Sequence, residues 1–256
     1  MTRASTKSHW DAYWQQHGDP HATYDNDDRI LTPILALGDV RGKRILEVGA
    51  GSGRDSIELA RQGAIVTVID YVPSSLTVVA KNAAQAGVPI QLVCGDGTRM
   101  PFPDDTFDVV FHQGLMEHFR DPKPLLNDNR RVLKPGAHVV IDVPQRWHIY
   151  TVGKKVMISM NKWFAGWETE YSIRELRTLV ERQGFEVTAT FGDWMVPGFF
   201  YRAFRYSLRP FGVALPTHPK GLMGLDRLGE NWRRWFRRTS LAPWTFAMIG
   251  VVGKKR

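Results

Sequence analysis

Short apolar runs alternate with amphipathic stretches over residues 44–143. Each run is continuous and rich in β-branched residues, a pattern typical of parallel strands buried on both faces. The stretches between the runs have helical spacing, so the chain is predicted to fold as successive βαβ units. The five predicted strands are RILEVG, AIVTVID, IQLVCGD, FDVVFHQ and AHVVIDVP, which begin at residues 44, 64, 90, 107 and 137.

Right-handed crossovers between such strands predict an α/β fold, a doubly wound Rossmann-like sheet with its ligand crevice at the carboxyl ends of the strands. The segment 172–194 predicts a helix capped by Ser172 and ended by Gly184, followed by a strand. The segment WTFAMIGVVGKKR, from Trp244 onward, predicts a further strand. We therefore expect a seven-stranded, mostly parallel sheet.

Two segments, 145–170 and 197–243, do not follow this alternation. We interpret them as a lid insertion and a basic amphipathic insertion over the active-site face of a single domain that spans residues 1–256. Residues 41–144 are expected to form the cofactor-binding core, and residues 1–40 an N-terminal cap. A chain of this length can bury a sizeable core without a metal or disulfides.

Composition narrows the class of protein further. Cys94 is the single cysteine, which excludes an intramolecular disulfide and a cysteine-rich zinc site. The N-terminal residues show no apolar targeting segment, and no apolar run approaches the roughly 20 residues of a membrane span. We expect a cytoplasmic protein that is soluble, or peripheral at the inner face of a membrane.

The sequence ILEVGAGSGRD, residues 45–55, ends the first predicted strand in a glycine-rich turn. Glycines at 49, 51 and 53 allow positive φ and a close approach of the backbone to a ligand, and the following helix offers unpaired N–H groups. A dinucleotide fingerprint would need glycine at position 54, where the chain has Arg54. A phosphate-binding loop would need Lys and Ser or Thr after its glycines, and these are missing.

Three acidic residues accompany this turn. Glu47 lies inside an apolar strand, where a carboxylate is costly unless it is paired, so a cationic ligand group would explain it. Asp70 ends the second strand, where it can accept hydrogen bonds from ribose hydroxyls. Asp96 ends the third strand and is placed to accept from an exocyclic amine. These acids favour a ligand with ribose, adenine and positive charge over one with phosphates.

Five motifs in order carry a resemblance to a known family. They are ILEVGAGSGRD, VIDYVPSSL, CGDGTRMPFPDDTFDVVF, GLMEHFRDP and RVLKPGA. Over residues 44–143 they resemble the class I S-adenosylmethionine-dependent methyltransferases, especially the small-molecule, methyltransferase type 11-like branch. Ala137 and Asp128 stand where the family usually has Gly and Glu. The resemblance implies S-adenosylmethionine as the cofactor.

The resemblance also implies how the cofactor is held. Gly49, Ala50 and Gly51 are expected to pass under its methionine part, while Glu47 either orients the turn or faces the amino group. The other expected contacts are Asp70 at the ribose, Tyr71 beside the adenine, Asp96 and Gly97 at the adenine edge, and Gln113 beside the sulfonium.

Methyl transfer needs an aligned approach to the sulfonium carbon and exclusion of water. An oxygen or nitrogen acceptor can also need a base that takes its proton. His118, in GLMEHFRDP after the fourth strand, is the first candidate for this base because histidine suits neutral pH. Glu117 and His112 are further catalytic candidates. The alternative for His118 and Glu117 is a structural role, and no metal is expected.

The acceptor pocket is expected to use aromatic residues from two segments. The insertion 145–170 is rich in tryptophan and methionine, which can shape an apolar chamber, although these residues can also simply pack the insertion onto the sheet. The N-terminal segment is expected to close the site. The candidate pocket residues are Trp147, Trp163 and Trp167 in the insertion, and Tyr13, Trp14 and Tyr24 in the N-terminal segment.

The insertion 197–243 is amphipathic and basic. From residue 197 onward the net charge is +10, against +8 for the whole chain. The pattern leaves three interpretations open: helices packed around an acceptor pocket, contact with an anionic membrane surface, or binding of a nucleic-acid backbone. Two apolar stripes at helical spacing lie beside arginines in this segment: Phe200, Phe204, Leu208 and Phe211, then Leu225, Leu228, Trp232 and Trp235.

These observations predict a methyltransferase that uses S-adenosylmethionine and acts on oxygen or nitrogen of a small or lipid-like acceptor. One alternative is an RNA methyltransferase that uses the basic C-terminal part, although a nucleic acid is the less favoured partner. The other is a cofactor-binding partner protein without turnover.

Overall fold

A computed structural model describes residues 6–16, 28–163, 165–194, 198–208, 211–213, 215–216, 231–233, 235–237, 239 and 241–256. Its strands are β1 (Arg44–Val48), β2 (Ile65–Asp70), β3 (Gln91–Cys94), β4 (Phe107–Gln113), β5 (Leu133–Pro144), β6 (Phe185–Asp193) and β7 (Met248–Lys255).

The helices cover both faces of the sheet and the edge where the strands end. They are α1 (Lys7–Gln16), α2 (Leu31–Leu35), α3 (Arg54–Arg61), α4 (Pro73–Ala86), α5 (Lys123–Val132), α6 (Ile149–Ser159), α7 (Ile173–Arg182), α8 (Phe199–Leu208) and α9 (Ala242–Thr245), with a 3₁₀ turn at Met116–His118.

The strands form one seven-stranded sheet in the order β3-β2-β1-β4-β5-β7-β6. The pairs among β1 to β5 are parallel, whereas β7 is antiparallel to both of its neighbours, β5 and β6. The predicted Rossmann-like, mostly parallel α/β sheet is therefore confirmed. The last strand begins later than expected, because Trp244 and Thr245 belong to α9 and β7 starts only at Met248.

Two hydrophobic cores lie on opposite faces of this sheet. Neighbouring residues of β1 point into different cores, Leu46 into one and Ile45 into the other, and neither side chain is exposed to solvent. Burial on both faces explains why the strands read as continuous apolar runs rather than as alternating patterns.

Helix α7 shows how local sequence sets an element boundary. The Ser172 hydroxyl accepts from the main-chain N–H of Glu175, and the Glu175 carboxylate accepts from the N–H of Ser172, which together form a capping box. This pairing satisfies two N–H groups that the first turn of a helix leaves open. The predicted cap at Ser172 is confirmed.

The two insertions leave the sheet at the same edge. Because β6 and β5 are both antiparallel to β7, they run in the same direction and end at the carboxyl edge that they share with β1 to β4. Helix α6 follows β5 there, and α8 follows β6. The predicted stripe residues Leu225 and Leu228 lie outside the described residues. None of the described helices combines the length and the hydropathy that crossing a membrane requires.

Candidate active site

The turn between β1 and α3 is built on left-handed glycines. Gly49 and Gly51 have φ of 79° and 50°, and Gly53 caps α3 at φ 72°. A Cβ on Gly49 would lie 3.0 Å from Cδ1 of Leu115. Residues with side chains would be strained at these positive φ values, so the glycines allow the turn to pass close beneath whatever occupies the edge of the sheet.

Glu47 lies beneath this turn rather than at its surface. It is buried, and its Oε2 accepts from the Ser56 hydroxyl of α3 at 2.5 Å. Burial raises the pKa of Glu47 well above its usual range, which favours the protonated form of the side chain. Of the two expectations for Glu47, this position favours support of the turn over contact with a ligand.

Asp70, at the end of β2, connects the turn to the second strand. Its Oδ2 accepts from the main-chain N–H of Ala50 at 2.9 Å and from the Ser75 hydroxyl at 3.1 Å, while Oδ1 accepts from the N–H of Val72 at 2.8 Å. Burial raises the pKa of Asp70, and these donors oppose that rise. Three donors hold the carboxylate still, and since a carboxylate offers about four acceptor sites, some capacity is left for a ligand.

The loop after β3 adds a second acid. Asp96 Oδ1 accepts from the N–H and the hydroxyl of Thr98, both at 2.8 Å. Burial, together with the charges of Asp70 and Asp96, raises the pKa of Tyr71 to about 12, which places the Tyr71 ring near both acids. A Cβ on Gly97 would come within 2.7 Å of Val48, so this loop can approach β1 only with glycine here.

The glycine turn after β1, the end of β2 and the loop after β3 line one cavity of about 580 Å³ at the carboxyl edge of the sheet. This volume falls in the range of small-molecule sites. Ten of the candidate residues predicted from the sequence line it: Tyr13, Trp14, Gly49, Gly51, Asp70, Tyr71, Asp96, Gly97, Gln113 and His118. The cavity is also lined by residues that sequence reasoning did not select, chiefly Trp10, Ile69, Val72, Gly95, Thr98, Gly114, Leu115 and Phe119.

Helix α1 covers part of this cavity with aromatic rings. Trp10, Tyr13 and Trp14 all line it, and the Trp10 ring meets the His118 ring edge to face with their centroids 5.1 Å apart. The spacing of three and four residues from Trp10 places the three rings on one helical face. That spacing is a sequence signal that would have identified Trp10.

His118 is the titratable imidazole in the cavity wall. Its ring donates to the main chain of Trp167, whereas Nδ1 has no hydrogen-bond partner among the described residues. The proton therefore lies on Nε2, because the hydrogen bond of one ring nitrogen sets the tautomer of the other. Burial lowers the pKa of His118, so at neutral pH the ring is uncharged and Nδ1 carries a lone pair.

The loop after β4 is held from β5. The main-chain N–H of Gly114 donates to Asp142 Oδ1 at 3.0 Å, and Asp142 Oδ2 lies 2.5 Å from Arg29 Nε. Gly114 lines the cavity, so Asp142 shapes the site without facing it. Sequence reasoning missed Asp142, although a lone acid inside an apolar strand is the same signal that singled out Glu47.

The other two catalytic candidates are buried away from the cavity wall. His112 is completely buried, burial lowers its pKa to about 3, and neither ring nitrogen has a hydrogen-bond partner within the described part of the chain. Burial, with the nearby charge of Glu168, raises the pKa of Glu117 well above its usual range. This shift favours the protonated form of Glu117.

The three tryptophans of insertion 145–170 that were predicted to line the acceptor pocket lie elsewhere. Trp147 is 69% exposed, Trp163 Nε1 donates to Glu168 at 2.6 Å, and the Trp167 ring lies 4.5 Å from the Arg120 guanidinium. Within the described residues, none of the three lines the cavity, nor do Glu47 and Ala50. Tyr24 lies outside the described residues. The same described part contains no cluster of three or more His, Cys, Asp or Glu side chains arranged for a metal.

Residues 46–141 match the family model described as a methyltransferase domain. This match falls on β1 to β5, the part of the sheet that carries the cavity. The matched residues therefore resemble a methyltransferase domain. The sheet order and the position of the cavity at the carboxyl edge are consistent with this match.

Individual relatives extend the comparison. The chain is 30% identical over 155 residues to a ubiquinone biosynthesis O-methyltransferase of Photorhabdus laumondii, covering 58% of this chain and 64% of that protein. It is 37% identical over 113 residues to a demethylmenaquinone methyltransferase of Clavibacter sepedonicus, covering 44% and 45%. The chain thus spans about half to two thirds of the length of these curated relatives.

A solved structure supports the fold. The magnesium protoporphyrin IX methyltransferase of Synechocystis PCC 6803, with SAH bound, superposes with a TM-score of 0.61 at 12% identity. The alignment covers 97% of this chain and 94% of the other. At this identity the likeness shows a shared fold.

The residues present fit S-adenosylmethionine, the cofactor that the sequence motifs imply. The cavity joins a glycine turn to acids at the ends of β2 and β3, and no lysine stands in the turn, where a phosphate would need one. The aromatic rings of α1 provide apolar surface beside these acids.

Proposed function

We propose that the protein transfers a methyl group from S-adenosylmethionine to a hydroxyl oxygen of a small, lipid-like acceptor. The observation that carries the proposal is that Asp70, Asp96 and His118 line the same cavity. Acids suited to ribose and adenine then stand in one chamber with a neutral imidazole suited to taking a proton. Bound there, the cofactor would supply an activated methyl group on a sulfonium.

The cofactor contacts follow from the positions of the cavity residues. Gly49 and Gly51 bring the backbone close to the methionine part. Asp70 accepts from the ribose, while Asp96, with Gly97, reads the adenine edge beside Tyr71. Gln113 lines the cavity at the end of β4, and Glu47 with Ala50 supports the turn from behind.

His118 is the proposed base. Its Nδ1 is buried and has no hydrogen-bond partner among the described residues, so a shift of the contacting Trp10 ring would open its lone pair to the proton of an acceptor hydroxyl. The bond from the ring to the main chain of Trp167 keeps the ring in place. Neither Glu117 nor His112 lines the cavity, so we assign neither of them a proton-transfer role. The Trp10 ring excludes water from one side of His118, which favours an aligned approach over hydrolysis.

The acceptor class rests on two supports. Trp10, Tyr13, Trp14, Leu115 and Phe119 give the cavity an apolar wall suited to a ring or chain of a lipid-like molecule,. Two relatives named above are a ubiquinone biosynthesis O-methyltransferase and a demethylmenaquinone methyltransferase. We therefore propose an acceptor of the quinone type.

Methyl-labelled S-adenosylmethionine, incubated with separate lipid, metabolite and RNA extracts, tests the proposal. We expect label in the lipid fraction, on oxygen when the product is analysed by NMR. Label confined to RNA would replace the proposal with the RNA alternative. Cofactor binding by calorimetry without label in any fraction would indicate a partner protein without turnover.

Replacing the base separates chemistry from binding. His118→Ala should lower turnover by about 10²–10⁴-fold, the usual contribution of a positioned base, while cofactor affinity stays unchanged. Because the pKa of His118 lies below its ordinary value of about 6.5,, wild-type turnover should fall only as the pH drops beneath that value. His138→Ala is the matched control, since His138 lies in the middle of β5, opposite Val109 of β4, and does not line the cavity. Equal turnover in His118→Ala and wild type would remove the base from the proposal.

A further inference from the structure

Exposed apolar side chains are concentrated in the two insertions. Of the 17 large hydrophobic side chains that are exposed among the described residues, 14 lie between Trp147 and Trp244. The other three, Leu37, Ile65 and Tyr71, are scattered over the first part of the chain. Soluble monomers rarely expose a contiguous apolar patch without a binding role, so this concentration indicates a binding surface.

Helix α6 presents its apolar stripe to the outside. Ile149, Val152, Val156 and Met160 recur at spacings of three and four residues and so share one side of the helix. Each of them is between 50% and 61% exposed. The side chains that α6 buries deeply are polar or charged: Thr151, at 1%, and Lys154, at 2%. A helix packed only for the stability of the core would have the opposite arrangement.

Ionic contacts beneath α6 hold this orientation. Lys154 Nζ lies 2.6 Å from Glu168 Oε2 and 3.2 Å from Glu170 Oε1, and these three side chains are at most 7% exposed. Turning the apolar stripe inward would take the Lys154 ammonium away and leave the buried Glu168 carboxylate without its cation, while Glu170 would keep only Lys155, whose Nζ lies 3.3 Å from its Oε2. That arrangement is strongly unfavourable, so the outward stripe is built into the fold.

Helix α8 continues the surface. Phe204 is 56% exposed and Phe211, just after the helix, is 79% exposed. Both helices leave the sheet at the carboxyl edge, where the cavity also lies.

The charge around this surface is positive. The insertion 145–170 carries four Lys and Arg against two acids, and the insertion 197–243 carries nine against two. Lys155 flanks the stripe of α6, where its side chain is 57% exposed while its Nζ lies 3.3 Å from Glu170 Oε2. A second copy of the chain would bring the same charge and be repelled. An anionic bilayer offers both negative headgroups and an apolar boundary for the stripe.

We propose that the stripe of α6 (Ile149, Val152, Val156 and Met160), with Phe204 and Phe211, docks on an anionic lipid bilayer. The basic residues around it contact the headgroups, and the carboxyl edge of the sheet faces the membrane. The purpose of this docking rests on the proposed function, because an acceptor dissolved in the bilayer would reach the cavity from that edge.

Vesicle flotation of the full chain, without cofactor or acceptor, tests the docking. We expect binding to vesicles of phosphatidylcholine with phosphatidylglycerol to be at least about tenfold tighter than to phosphatidylcholine alone, and to weaken with added salt. The double variant Val152→Asp/Val156→Asp should lose at least about tenfold in affinity for the anionic vesicles.

Ile65→Asp is the matched control. Ile65 is 58% exposed, as the two valines are, but it begins β2 at the opposite edge of the sheet, so its replacement should leave vesicle binding unchanged. Unchanged calorimetric binding of S-adenosylmethionine shows that each variant is folded. Absent or salt-independent vesicle binding would overturn the proposal. So would equal binding by the double variant, or a dimer in sedimentation that the double variant breaks.

The outcomes separate the two proposals. Because the vesicles contain no cofactor, a failure to dock leaves the labelled-methyl result unaffected. A protein that docks on the bilayer but labels no lipid would contradict the proposed function alone.

Discussion

Helices α6 and α7 are nearly equal in length and both follow β5, yet they turn opposite kinds of side chain toward the protein. Helix α7 buries Ile173, Leu176 and Val180, whereas α6 buries Thr151 and Lys154. In α7 the hydrophobic effect alone selects the inner face. In α6 a buried ionic group selects it, and the apolar face is left for another use. The comparison shows that amphipathicity defines two faces of a helix without deciding which one is inside.

Replacing one basic residue in each helix should give the largest difference between α6 and α7 in the free energy of unfolding. Lys154→Ala leaves Glu168 buried without its cation, whereas Glu170 still pairs with Lys155, so we expect a loss of about 3 kcal/mol in the free energy of unfolding. Arg177→Ala in α7 removes a partner of Glu181 from an exposed pair and should cost at most about 0.5 kcal/mol. Urea unfolding followed by circular dichroism measures both. Similar small losses in the two variants would show that the ionic contacts do not orient α6.

Truncating one apolar side chain in each helix should give the next largest contrast. Leu176→Ala removes a completely buried side chain and should cost about 2–5 kcal/mol. Val156→Ala removes methyl groups from a side chain that is 53% exposed and should change stability by no more than about 0.5 kcal/mol. Thermal or urea unfolding distinguishes these outcomes, and a large loss in Val156→Ala would mean that the stripe of α6 is packed inside the protein.

The helix caps should give the smallest contrast, one that depends on pH. Helix α7 is capped by Ser172, while the N-cap of α6 is His148, whose Nδ1 accepts from the N–H of Tyr150 at 3.1 Å. Ser172→Ala should cost about 1 kcal/mol at both pH 8 and pH 5. His148→Ala should cost a similar amount at pH 8 and less at pH 5, because a protonated imidazole cannot accept a hydrogen bond.

The sign of this pH effect follows from the pKa of His148. Burial lowers that pKa, so below about pH 6.5 the unfolded chain binds a proton that the folded chain does not yet bind. The stability contributed by His148 is therefore present at high pH and lost as the pH falls through the folded pKa. A cost for His148→Ala that is identical at pH 5 and pH 8 in urea unfolding would contradict the role of the ring as a cap.

The first half of the fold could be predicted because its signals are local. Continuous apolar runs give buried parallel strands, and Asp70 and Asp96 occur where those strands end, so chain order alone brings them to one edge. The same reasoning placed Gln113 and His118 at the cavity. The connections inside the cavity, such as the three donors on Asp70, depend on packing that no single segment encodes.

The insertions were harder to predict from sequence for a physical reason. The composition of residues 145–170 indicates aromatic packing, but it does not say that Trp163 contacts Glu168 or that Trp167 lies beside Arg120. These partners are distant side chains whose positions depend on how the insertion folds back. Trp10 could have been predicted from sequence, because its spacing of three and four residues from Tyr13 and Trp14 places the three rings on one helical face.

The position of β7 between β5 and β6 has a consequence for synthesis. Strand β6 cannot join the sheet until β7 exists, although the 54 residues 194–247 separate the two strands in the chain. At translation rates of about 5–20 residues per second, the ribosome needs roughly 3–11 s to make that segment. During this interval the edge of β5 is unpaired and the apolar residues of β6 have no sheet to cover. Until β7 is made, the nascent chain exposes an unpaired strand edge and apolar side chains. A ribosome-bound chaperone would protect such a chain from aggregation.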